Sequence, residues 1–130
     1  MTAERLSLPR FPLVTGALLA LLAVMAGAFG AHGLRALVTE RGLEVFHTAV
    51  SYQVYHSLAL ILVAMLVALG GPRRWLLAAA GFFLAGILLF SGSLYLLVLT
   101  GLSWLGPVTP LGGLCFMIGW GLVVVAGLRR

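Results

Sequence analysis

The chain has 130 residues, 62% of them hydrophobic, and only 8% carry formal charge. Soluble domains carry about 25% charged residues, so this chain lacks the polar surface a water-soluble fold would need, and lipid is the solvent that suits it. The net charge of +5 rests on arginines at 5, 10, 35, 41, 73, 74, 129 and 130. They flank apolar runs and form no stripe with interleaved polar residues, which argues for membrane orientation and against nucleic acid as a partner. Cys115 is the only cysteine, so no intrachain disulfide can form.

Charge-free stretches define the spans in chain order: 11–34, 45–72 and 75–128. A spanning helix needs about 20 apolar residues, which makes the first two stretches one helix each. Arg5 and Arg10 before an apolar run, with Ala26-Gly27-Ala28 beyond it, have the look of a secretory signal. We nevertheless expect the segment to be retained as helix one. Segment 35–46 mixes Arg35, Glu40, Arg41 and Glu44 with apolar residues and reads as a short interfacial segment between helices one and two, or as the wet start of helix two. The third stretch is twice too long for one crossing and must fold back. Gly101 to Pro107 supplies the turn, just as Gly70-Gly71-Pro72 ends helix two. The expected architecture is all-α: one membrane domain over 1–130, a four-helix bundle with helices near 11–34, 46–70, 75–100 and 107–128.

Orientation follows from the arginines. With four crossings the N-terminus, the 71–74 loop and the C-terminus share a side that holds six of them, and Arg35 and Arg41 lie opposite. Positive residues favour the cytoplasmic side, so both termini are expected there. Small residues at Gly16, Ala20, Ala23, Gly27 and Gly30 recur at spacings of four and three, a seam for close packing on one face of helix one.

Polar side chains gather toward the other side. His32 closes helix one; Tyr52, Gln53 and His56 lie on helix two; Ser91, Ser93 and Tyr95 lie on helix three; Thr109 opens helix four. The other halves of the helices hold almost nothing polar. Such groups are costly in lipid unless they face protein or one another, so these eight are the candidate site, one polar cluster in the outer leaflet. His56 is expected to point inward, near Gln53, Tyr95, Ser91 or His32.

Four strings, Gly27-Ala-Phe-Gly-Ala-His-Gly-Leu34, Tyr52-Gln-Val-Tyr-His56, Phe90-Ser-Gly-Ser-Leu-Tyr95 and Thr109-Pro-Leu-Gly-Gly113, resemble the YgdD-like family. These are small bacterial inner-membrane proteins of unknown function, similar to the eukaryotic transmembrane protein 256. The resemblance covers nearly the whole chain and implies four membrane spans, with no activity to carry over.

The residues themselves read as a non-enzymatic membrane protein: an accessory subunit, or a binder of a lipid-like molecule through the outer-leaflet cluster. Expected partners are membrane lipids and a larger membrane complex or further copies of the chain. No catalytic residues and no cofactor are expected. A serine nucleophile at Ser91 or Ser93 would need a base and an oxyanion site, and neither is evident. The alternative is a redox protein holding haem or a metal ion on His32 and His56, since neutral imidazole is a common ligand, although the spacing matches no diagnostic ligand motif. A transporter or channel is a further reading, weakened by the lack of any charge within the spans.

Overall fold

A computed structural model describes residues 6–129. Arg5 and Arg130, two of the arginines used above for orientation, lie outside the described residues. Four helices are long and apolar enough to cross a membrane: Arg10–His32, Glu40–Ala68, Arg73–Thr100 and Ser103–Arg129. Here they are spans one to four of an integral membrane four-helix bundle.

Each boundary has a local cause. Span one starts directly after Pro9, whose extended backbone leads into the first turn. It ends at His32 and passes through a short 3-10 turn, Leu34–Ala36. Span two begins at Glu40 because Thr39 caps it: the threonine hydroxyl accepts the backbone N–H of Gly42 at 3.0 Å. The interfacial segment expected over 35–46 is therefore divided between the 3-10 turn and the first turns of span two. Glycines in the left-handed region close two helices, Gly70 (φ +93) after span two and Gly101 (φ +73) after span three.

The third span is not a uniform α-helix. It runs α-helical over Arg73–Gly86, makes one π-helical turn at Ile87–Ser91, and resumes as α-helix over Gly92–Thr100. The residues that face inward are Leu76, Ala79, Ala80 and Phe83 before the turn, and Ile87 and Ser91 at its two ends. Positions four apart drift by about 40° per step on an α-helix, so an unbroken helix would carry Tyr95, though not Ser91, off the inward face. The extra residue of the π turn keeps Tyr95 on it.

The apolar core lies among spans two, three and four, with Leu60, Val63, Leu76, Phe83, Ile87 and Phe116 at its centre. Span one packs almost wholly along span two. A Cβ on Gly16 would lie 2.8 Å from the Ser57 carbonyl oxygen and 2.9 Å from the Leu60 side chain, so glycine is what lets these two backbones meet. Higher up, Gly30 lies against the ring of Phe46. Span four approaches the π turn in the same way: a Cβ on Gly112 would run into the backbone of Phe90.

Candidate functional site

Five buried polar residues, Gln53, His56, Ser57, Ser91 and Ser93, lie inside the bundle. Hydrogen bonds from these side chains join all four spans. Gln53 does so twice: its amide nitrogen donates to the Leu19 carbonyl of span one at 2.8 Å, and its amide oxygen accepts the Tyr95 hydroxyl of span three at 2.6 Å. The Ser91 hydroxyl donates to the Ala49 carbonyl of span two at 2.7 Å. Ser93 shares a 2.6 Å bond with Thr109 at the start of span four.

His56 makes the remaining link. Its Nδ1 lies 2.8 Å from the Tyr52 carbonyl, and its Nε2 lies 3.1 Å from the indole nitrogen of Trp120 on span four. A carbonyl only accepts and an indole N–H only donates, so the two partners fix the neutral tautomer with the proton on Nδ1. The imidazole lies flat on the ring of Phe116, with centroids 3.6 Å apart and planes 8° apart. Phe83, Phe90, Tyr52 and Trp120 complete an aromatic cluster around that stack. Gly86 and Gly119 make room for it, because a Cβ on either would strike Phe116 or Phe83.

Of the eight residues singled out in the sequence, six thus enter the hydrogen-bonded network through their side chains: Gln53, His56, Ser91, Ser93, Tyr95 and Thr109. Tyr52 contributes its carbonyl and its ring, while its side chain stays 38% exposed. His32 does not join. It is exposed at the end of span one, level with the first turns of span two given that Gly30 meets Phe46. At 1.5 Å per residue that places it on the order of 18 Å along the bundle from His56, so the two histidines do not form a pair. Among the described residues no group of three His, Cys, Asp or Glu side chains comes together as a metal site.

The depth also differs from the sequence expectation. Because span two begins at Glu40, Gln53 and His56 lie beside its midpoint instead of in its outer half. The network therefore runs from Ser93 and Thr109 near one end to His56 and Trp120 at mid-depth. Trp120 and Phe116 were not anticipated as members. The available signal was a tryptophan at mid-span, whose N–H requires an acceptor wherever it is buried. Among the described residues no buried side-chain nitrogen or oxygen lacks a hydrogen-bond partner.

A family model described as a protein of unknown function, DUF423, matches residues 26–113. This chain belongs to that family. The matched stretch holds every residue of the network except Phe116, Trp120 and the Leu19 carbonyl. The DUF423 chain is 47% identical over 117 residues to the UPF0382 membrane protein YwdK of Bacillus subtilis, covering 90% of this chain and 95% of that one. A UPF0382 membrane protein of Staphylococcus aureus is 44% identical over 118 residues, with 90% and 94% covered. One from Staphylococcus epidermidis is 42% identical over the same length and shares. No solved structure matches the chain. With four spans and these relatives, it is a multi-pass bacterial membrane protein of a family whose function is unknown.

Proposed function

We propose that this protein is a non-enzymatic accessory component of a membrane assembly, which works through an outer face of span two and not through chemistry in its interior. The interior argues for a fastening role. Its polar groups are spent on one another, and both nitrogens of His56 are engaged. Polar side chains inside membranes commonly act as interhelical glue in this way.

The observation that carries the reading is the pair Tyr52 and Tyr55. Both side chains are exposed, at 38% and 59%, and their rings meet edge to face with centroids 5.8 Å apart. They lie beside the midpoint of span two, where lipid offers no hydrogen bonds, and neither hydroxyl takes part in the bonds that join the helices. A hydroxyl left without a partner in an apolar medium costs about 1–3 kcal/mol or more. A second chain, or the polar part of a lipid-like molecule, would supply the acceptor. The kinship with the YgdD-like proteins and transmembrane protein 256 belongs to this reading, and it would extend the same face to those relatives.

Photo-crosslinking tests it. A benzoylphenylalanine at position 55 of the full chain in native membranes should give one discrete adduct, a protein or a lipid-like molecule identified by mass spectrometry. The same probe at Val14, on the exposed face of span one, is the reference. Equal and diffuse labelling at the two positions would show that Tyr55 meets only bulk lipid.

A further inference from the structure

The opposite end of the bundle carries a second feature, independent of the tyrosine face. A recess of about 640 Å³ opens between the ends of spans two, three and four, lined by Leu66, Leu69, Gly71, Leu76, Val123 and Ala126. Its size lies within the range of small-molecule sites, about 300–1,000 Å³, and its side-chain lining is wholly apolar.

The rim is cationic. Arg73 and Arg74 follow directly on Pro72 at the edge of the recess, and Arg129 comes two residues after Gly127 on its opposite wall. The guanidinium of Arg129 lies 5.1 Å from the centre of the Trp75 ring, and that of Arg74 lies 5.8 Å from it. Two like charges are thus held against one indole, each stacked by cation–π attraction. Among the described residues the acidic side chains are Glu40 and Glu44, both at the start of span two and so at the far end of the bundle. Among the described residues no carboxylate lies at this end, and the paired guanidiniums attract an anion.

From this juxtaposition we propose that the recess is a binding site for an anionic phospholipid. One acyl chain occupies the apolar recess, and the phosphate lies against Arg74 and Arg129 beside Trp75. The charge pattern and the apolar hollow are both required: a free phosphate has no use for the hollow, and a zwitterionic lipid gains less from the arginines. Basic pockets between helices at the membrane surface recognise anionic head groups by this combination.

The test titrates the full-length protein in a neutral detergent with phosphatidylglycerol or phosphatidylcholine of the same acyl chains, and counts bound lipid by native mass spectrometry. Phosphatidylglycerol should bind about tenfold or more tightly than phosphatidylcholine. Arg74→Gln with Arg129→Gln should abolish that preference, whereas Arg35→Gln with Arg41→Gln, at the other end, should retain it. Gly127→Leu adds bulk at a residue that lines the recess and should weaken both lipids alike. Glycerophosphoglycerol, the head group without chains, should not compete. Equal binding of the two lipids, a preference that survives loss of Arg74 and Arg129, undiminished binding by Gly127→Leu, or competition by the bare head group would each overturn the proposal. Circular dichroism and elution volume confirm that each variant is folded.

Discussion

Gln53 and His56 show how much one polar side chain can do where water is absent. Each occupies both of its hydrogen-bonding ends, Gln53 between spans one and three, His56 between the Tyr52 carbonyl and span four. Removing either end of the His56–Trp120 bond leaves the other group without its partner at mid-span. Trp120→Phe and His56→Phe should therefore each lower stability in a detergent unfolding titration by roughly 1 kcal/mol or more. The double variant should cost less than the two together, because no orphaned group remains. Strict additivity would mean that the bond contributes nothing. Much of this network was legible beforehand. Polar groups on separate spans, at similar distances from one side, have little else to pair with; Gln53 and Tyr95 bond directly, whereas Ser91 bonds the Ala49 carbonyl, and His56, expected near Gln53, Tyr95, Ser91 or His32, bonds the Tyr52 carbonyl and Trp120. The partner of His56 was not legible. Its distance to Trp120 depends on how far span four tilts across span two, which periodicity does not encode.

At the level of helices, small residues set how closely backbones approach, and their effects differ from one to the next. The seam on span one faces span two as its spacing implied. Its tightest point is Gly16, however, not Gly27, whose Cβ would make an ordinary 3.6 Å contact with Val50. A pattern identifies the face; the crossing point decides which residue on it is crowded. Gly112→Ala should accordingly disrupt the packing of span four on the π turn and lower the detergent melting temperature by several degrees, because the obstacle is the backbone of Phe90. Gly121→Ala, with nothing within 4 Å, should leave it unchanged. Comparable melting of the two variants would show that span four does not make this approach. The π turn itself left no mark in the sequence. One added residue shifts the inward face by about 100°, and that shift shows only when the partners of Ser91 and Tyr95 are known.

For the whole molecule, four crossings and their order were readable from hydropathy, since the length of an apolar run is fixed by bilayer thickness. The longer start of span two was only one of two readings of segment 35–46, because charged Glu40, Arg41 and Glu44 interrupt the apolar signal although the helix continues through them. The sidedness remains our expectation from arginine placement, with both termini cytoplasmic. A phosphatase fused at the C-terminus should be inactive and one inserted within 101–106 active; the reverse pattern would invert the topology. These reporters also decide which leaflet supplies the anionic lipid proposed for the recess.

The side-chain bonds fall into an order that bears on how the protein is made. Span one rests on span two, and span four on span three, each pair joined by a short turn. Tyr95 with Gln53, Ser91 with Ala49 and Trp120 with His56 then cross from one pair to the other. Synthesis delivers two helical hairpins to the bilayer one after the other, and the bonds that cross between them can close only once both are in place, as a clasp. A chain interrupted at the exposed Gly70, and produced as two separate halves, should reassemble in the membrane and co-purify. Replacing Gln53 and His56 together by leucine should leave both halves inserted but no longer joined.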